Sequence, residues 1–369
     1  MLKHKIRHLT SVHSIRDPRI FHKECQSLAR LGNDVALIAC HERAEVVDGI
    51  RIVPIDPPTS RFDRLVRVGS QLCRAAARER ADVYHFHDPE LMWVGVLLKL
   101  GGSSVIYDVH EDVPKQIMSK PWIPGWARPL VARAAMIAER LAAQIVDGIV
   151  AATPSIARKF PADKTVVVQN FPEASFARID AAGPPFTARS DAFVYAGGLM
   201  EIQGVREMAE AFALLPAGMT GTVAGTFHTP ALEMEISAMP GWQRVRYLRQ
   251  VPRDEVVRVM GSARCGLVLN HPTINYVEAY PTKMFEYMAR GLPVVCSNFP
   301  LWVDIVTTAD CGIAVDPRSP QAIADAIRLL GDDPTLARRL GENGRRAIAE
   351  RFNWEAELSK LEALYRKVA

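Results

Sequence analysis

The sequence predicts an α/β protein made of two doubly wound domains facing each other across a cleft, and three observations carry that expectation. Short β-branched runs alternate with longer helical patterns along the whole chain, the mark of parallel sheets with helices on both faces. Some of those runs, Asp34-Val-Ala-Leu-Ile-Ala and Gly148-Ile-Val-Ala-Ala, are continuously apolar, as strands covered on both faces must be. The alternation breaks once, in a Pro, Ala and Gly-rich stretch at residues 172–190, and 369 residues with 49% apolar composition exceed one ordinary core.

In the first half, strands are expected near residues 5–9, 34–39, 50–54, 82–86, 104–109, 147–152 and 165–169, with helical patterns in most gaps. The second half restarts at Ala192-Phe-Val-Tyr-Ala-Gly-Gly and continues with strands near 219–225, 244–248, 264–269, 293–297 and 312–315. Three helical patterns close the chain, the last beginning at a suitable cap, Asn353. The expected organisation is a Rossmann-like domain at 1–171, a linker at 172–190, a second Rossmann-like domain at 191–350, and a C-terminal helix at 351–369 packing back towards the first domain. Such folds bind ligands beyond the carboxyl ends of their strands, so two of them suit an enzyme with two substrates.

Composition narrows the class. The net charge of +4 is uneven, with 24 basic against 18 acidic residues up to position 170 and 21 against 23 after it. Eight of the ten histidines, including His13, His85, His87 and His110, also fall in that first part, which marks it as the side of polar chemistry. Six scattered cysteines without a CxxC pair argue against a disulfide framework or a zinc site and for a reducing, cytoplasmic setting. No leader-like segment opens the chain, and no run approaches the ~20 apolar residues of a membrane span. Nucleic acid is not an expected partner, because no basic-aromatic module is present. A dinucleotide-dependent oxidoreductase is disfavoured, because no Gly-x-Gly-x-x-Gly follows an expected strand.

The most informative stretch is Glu278-Ala-Tyr-Pro-Thr-Lys-Met-Phe-Glu-Tyr-Met-Ala-Arg-Gly-Leu-Pro-Val-Val-Cys-Ser, read as loop, helix and buried strand. Pro281 is expected in the first helical turn and Gly291 at the stop. The N–H groups around Thr282, Lys283 and Met284 then face outward from a helix N-terminus, and Lys283 adds a full charge beside them, which together make a cradle for a diphosphate. Glu286, one turn on, suits a vicinal diol such as a ribose, and Glu278 suits sugar hydroxyls. Taken alone, a Glu-x7-Glu pair is weak, since acidic residues on a helix and its loop are usually solvated. An exposed lysine is the ordinary alternative for Lys283, but a cation in the first turn opposes the helix dipole and calls for an anion.

These residues resemble glycosyltransferase family 4, whose signature is two glutamates with seven residues between them, followed by a helix, Gly-x-Pro and a strand. The resemblance extends to Asp17-Pro-Arg-Ile, Leu31-Gly-Asn-Asp-Val, His85-Phe-His-Asp-Pro, Tyr107-Asp-Val-His-Glu, Val194-Tyr-Ala-Gly-Gly and the closing Trp-containing helix. It implies a GT-B fold and transfer of a sugar from a nucleotide-diphosphate sugar, UDP favoured, to a glycan or lipid-linked glycan acceptor with retention of configuration. By matched position it implies Glu286 on the ribose and Glu278 on the donor sugar, and the full set of expected donor contacts is Glu286, Lys283, Thr282, Pro281, Tyr280, Glu278, Gly197, Gly198, Gln203, Arg206 and Asn270. It also implies that His110 faces the reacting centre, and the expected acceptor contacts are His13, Asp17, Arg19, His87 and His110, with His110, Glu111, Lys283 and Glu278 expected at the reacting centre. Where the family often carries Arg and then Lys-Gly, this chain has Gly198 and Gln203-Gly204, so Lys283, helped by Arg206, is expected to neutralise the diphosphate. No Asp-x-Asp triplet occurs, and no metal or other cofactor is expected.

Two further features concern a membrane. Arg64, Arg67, Arg74 and Arg78 fall on one helical stripe opposite Leu65, Val68 and Leu72, and Lys120-Pro-Trp-Ile-Pro-Gly-Trp-Ala-Arg brackets two tryptophans with basic residues. A solvated helix with a packed loop and a contact with an anionic membrane surface both remain open. So do two other functions: a nucleotide-sugar epimerase of similar fold, and a degenerate transferase acting as a partner's scaffold.

Overall fold

The computed structural model of the chain describes residues 3–120, 122–174, 176 and 184–369. Residues 175 and 177–183 of the expected linker, and Pro121 of the tryptophan segment, lie outside the described residues. The chain divides into two compact units, Met1–Asn170 with Glu355–Ala369, and Phe171–Trp354.

The first unit holds eight strands: β1 (Lys5–Leu9), β2 (Asp34–Cys40), β3 (Glu45–Val47), β4 (Ile50–Ile55), β5 (Val83–Phe86), β6 (Ser104–Val109), β7 (Gly148–Ala151) and β8 (Thr165–Val167). They lie in the order β3-β4-β2-β1-β5-β6-β7-β8, and every pairing is parallel except β3 with β4. That antiparallel edge strand is absent from the expected set. Val47 pairs with Ile50 across Asp48 and Gly49, both at positive φ (47° and 82°). Asp-Gly with two left-handed residues is the tight hairpin turn that matches strand twist, so the dipeptide was the available signal. Inside the sheet, β1, β2, β5, β6 and β7 bury the apolar runs expected of them, with Leu9, Ile38, Phe86, Tyr107 and Ile149 in one core. The chain winds outward in both directions from β1 and β5, so a switch point opens between their carboxyl ends.

The second unit holds β9 (Phe193–Ala196), β10 (Gly221–Ala224), β11 (Val245–Tyr247), β12 (Gly266–Val268), β13 (Val294–Ser297) and β14 (Gly312–Val315), all parallel, in the order β11-β10-β9-β12-β13-β14. Side chains alternate between two cores as strand geometry requires. Phe193, Tyr195 and Leu267 enter one, Val194, Val268 and Cys296 the other. The switch point here lies between β9 and β12. Pro320–Asp332, Pro334–Glu350 and Trp354–Val368 are the three closing helices. Two parallel-sheet α/β units make this a GT-B fold. Among the described residues no helix is long and apolar enough to cross a membrane.

Candidate functional site

In the second unit the chemistry gathers at the β9/β12 switch point. The helix Thr282–Ala289 starts with Pro281 at its N-cap, one position earlier than expected, and no side chain caps it. Met284 N–H donates to Pro281 O at 3.0 Å, so the cradle is built from Thr282 and Lys283 N–H and not from three groups. Gly291, at φ 67°, terminates the helix as expected, with Leu292 N–H returning to Tyr287 O at 2.9 Å.

Lys283 projects from that turn towards the end of β9. Its Nζ donates to Tyr195 Oη at 2.9 Å and sits 4.1 Å from the ring centroid. Tyr195 Oη in turn donates to Gly198 O at 2.6 Å and lies 3.1 Å from Gln203 Oε1. Gly197, at φ 146°, leaves room for the ammonium: a Cβ there would stand 2.9 Å from Nζ. Lys283, Gly197, Gly198 and Gln203 are thus brought together. Among the described residues no carboxylate pairs with Lys283. Although the residue is only partly buried, enclosure of its ammonium pushes the pKa down to about 8, with Glu286 partly opposing.

Glu286 lies one turn along the same helix, with Oε1 3.6 Å from Arg253 Nη2. Glu278 is half-buried in a loop held by Trp302, whose Nε1–H donates to Ala279 O at 2.8 Å. Tyr280 packs its ring near Phe171 and Phe285. Asn270, just past β12, is buried and locked by Ser297, which accepts its N–H at 2.8 Å, yet its Oδ1 has no hydrogen-bond partner. A buried acceptor left unsatisfied at a strand end marks a place for a ligand donor. Arg206 is placed elsewhere: Glu235 engages it, with Glu201 at 3.8 Å, so its charge is already balanced. Tyr195 stood inside the quoted Val194-Tyr-Ala-Gly-Gly motif but was not singled out as a site residue, because an aromatic in a strand reads as core.

In the first unit the switch point between β1 and β5 is lined with imidazoles. His13 lies between two carboxylates, with Nδ1 3.3 Å from Asp17 Oδ2 and Nε2 3.4 Å from Asp88 Oδ1. The hydrogen bond that His13 donates to Asp17 raises the His13 pKa above its ordinary value. Asp17 also caps the following helix, accepting from Arg19 and Ile20 N–H at 2.8 and 2.9 Å. Burial would raise its carboxyl, but His13 and the two N–H groups outweigh that and bring it to about 2. The His110 ring stands 5.2 Å from that of His13, and its Nε2 is 2.8 Å from Asp108 Oδ2. Glu111 beside it is exposed.

Arg19 and His87 depart from the acceptor-contact expectation. Arg19 is buried and committed to a bidentate pair with Asp108 (3.1 and 2.9 Å) and to Val168 O at 2.9 Å. Burial alone would raise Asp108, yet Arg19, then His110 and His87, hold it well below the usual carboxylate range. His87 is buried between His8 and Asp108, at 2.9 and 3.1 Å. Both position Asp108 and His110 from beneath. Asp108 stood inside the quoted Tyr107-Asp-Val-His-Glu motif and was legible there. Glu24 and Tyr365, which complete the cluster from distant parts of the chain, had no sequence signal.

Residues 183–347 match the family model described as Glycosyl transferases group 1, and residues 19–170 that of a Glycosyl transferase 4-like domain. The chain is 22% identical to glycogen synthase of Mycobacterium tuberculosis over 392 aligned positions, covering 94% of this chain and 90% of that one. Its fold is similar to sucrose-phosphate synthase from Thermosynechococcus elongatus, with a TM-score of 0.76, 19% identity and 98% of each chain covered. It is also similar to HepE of Anabaena in complex with UDP-glucose, with a TM-score of 0.72, 15% identity, and 98% and 100% of the two chains covered.

Proposed function

The chain belongs to the family 4-type glycosyltransferases, carrying both their group 1 and their 4-like domains, and from that premise we propose a retaining transfer from a UDP-sugar that needs no cation at the diphosphate. One observation carries the reading. Lys283 is a cation at an uncapped helix N-terminus, enclosed by Tyr195 and Gly197, with its pKa lowered and, among the described residues, no carboxylate in an ion pair with it. Such a site is completed by an anion, and a departing diphosphate gains negative charge as the sugar bond breaks.

Glu286 would take the ribose diol, Glu278 the donor sugar, and Asn270 Oδ1 a hydroxyl or N–H donor of the same molecule. The acceptor hydroxyl attacks C1 on the face the diphosphate leaves, the C1–O bond to phosphate breaks, and the acceptor proton passes to the leaving phosphate oxygen. His13 and His110 orient the two reactants and do not attack. UDP is favoured by the UDP-glucose bound to the similar HepE fold. The acceptor we infer is a surface polysaccharide or its lipid-linked precursor. Supporting a site at an anionic membrane are exposed Trp122 (53%) and Trp126 (79%), with the Arg61 guanidinium 3.9 Å over the Trp122 ring.

Calorimetry with UDP, GDP, ADP and TDP in EDTA tests the donor half. One nucleotide should bind, and Lys283→Ala and Glu286→Ala should each weaken it by about tenfold or more, the scale of one charge-assisted contact. Binding that ignores both substitutions would move the donor site elsewhere and favour the scaffold alternative.

A further inference from the structure

Beneath the His13/His110 surface, four side chains that the transfer reaction does not use meet in the buried centre of the first unit. His8 comes from β1, Glu24 from the helix that follows it, His85 from β5 and His87 from just past the end of β5. One donor atom from each lies within 4.8 Å of the other three, and all four residues are buried. We propose that His8, Glu24, His85 and His87 form a closed, structural site for a divalent transition-metal ion of the zinc class.

The donor geometry is the first support. Zn–N and Zn–O bonds of ~2.0–2.2 Å arranged as a tetrahedron place donors roughly 3.3–3.5 Å apart. His8 Nδ1 is 2.9 Å from His87 Nε2 and 3.9 Å from Glu24 Oε2, and His85 Nδ1 is 3.8 Å from the same oxygen. These three edges bracket the tetrahedral value, and with all four donors within 4.8 Å of one another small shifts of side chains close the cage.

Unsatisfied polarity is the second. Neither carboxylate oxygen of Glu24 accepts a hydrogen bond. Arg19 Nε approaches Glu24 Oε1 at 3.1 Å, but its fork is aligned on Asp108. Two buried carboxylates therefore share one guanidinium. Leaving two buried carboxylates on one guanidinium is costly, and a cation bound by Glu24 offsets that cost.

The supporting contacts are those of a metal centre. Asp108 Oδ2 holds His87 Nδ1 at 3.1 Å, which directs the opposite nitrogen at His8, and Tyr365 Oη, 3.5 Å from His8 Nε2, stands behind the His8 donor while it gives up its 2.8 Å bond to His85 Nδ1 when the ion binds. Four protein ligands leave no open coordination position, so the ion stabilises the first unit and does not take part in the chemistry at Lys283. Success or failure here is therefore independent of the donor reading.

The test uses the full, untagged chain, stripped with a chelator, dialysed and titrated with Co2+ and then Zn2+. One ion should bind per chain. Co2+ should show the visible absorption of a tetrahedral complex that Zn2+ abolishes, and the unfolding temperature should rise by about 5 °C or more. Glu24→Gln and His85→Gln should lose most of the uptake while Glu286→Ala keeps it. If the first two variants fail to fold, the wild-type Co2+ spectrum decides, since the absence of tetrahedral bands overturns the site. Uptake below about a tenth of an ion per chain, or equal uptake by folded Glu24→Gln, overturns it as well.

Discussion

Lys283 is the residue on which the donor reading turns, and its protonation makes a prediction with a definite sign. Enclosure disfavours the ammonium and sets its pKa at about 8, whereas a bound diphosphate favours it and raises that value again. Binding therefore takes up a proton when the lysine starts neutral. Below pH 8 the free protein already carries the charge, and affinity should be flat on this account. Above pH 8 affinity for a nucleotide diphosphate should fall, approaching tenfold per pH unit by pH 9. Lys283→Ala, weaker throughout, should lose that slope, and calorimetry at pH 7, 8 and 9 reads both. A slope unchanged in the variant would assign the titration to another group. Lys283 was legible from the sequence because its neighbours Pro281 and Gly291 bound a helix and because a first-turn cation needs a reason. Its phenol partner was not, since nothing along the chain ties Tyr195 to position 283.

At the scale of elements, the strands were legible wherever burial on both faces forced a continuous apolar run, and the β3/β4 hairpin was missed because a three-residue strand buries only Val47. The site divides the same way. Glu278, Lys283 and Glu286 share one loop and helix, so spacing revealed them, while the imidazole cluster draws on β1, β5, β6, the Pro18–Cys25 helix and the last helix, which only the fold juxtaposes. The arginine stripe was only partly legible. Val68 and Leu72 are buried beneath it, but Arg64 pairs with Glu90 at 3.0 Å and Arg67 with Asp63 at 2.6 Å, leaving Arg74 and Arg78 exposed. Phe62 and Leu65 from that region, with Trp122 and Trp126, then offer the apolar part of a headgroup-level surface. Vesicles containing anionic lipid should co-sediment the protein at low salt, less so at high salt, and Trp122→Ala with Trp126→Ala should reduce the bound fraction severalfold. No sedimentation at low salt removes the membrane proposal while leaving the donor site untouched.

At the scale of the whole molecule, the chain leaves the first unit at Asn170, builds the second, and supplies the first again from Glu355 onward. That last segment is part of the first unit's interior. Leu361, Leu364 and Tyr365 are buried, Leu364 packs so closely on β7 that a Cβ at Gly148 would stand 3.1 Å from its Cδ1, and Glu357 accepts Gln169 N–H at 2.9 Å. Burying three such side chains contributes roughly 5–8 kcal/mol as an upper estimate, comparable with the whole stability of an ordinary domain. Ending the chain at Trp354 should therefore unfold the first unit while the second keeps both its cores, since neither draws on residues beyond Phe352. Hydrogen exchange reads the two outcomes apart. Amides of β1, β5 and β6 should lose their protection, those of β9, β12 and β13 should keep it, and the melting profile should lose one component. Equal loss in both sheets would mean that the units fold only together, and full protection in the first would mean that its core closes without its last helix.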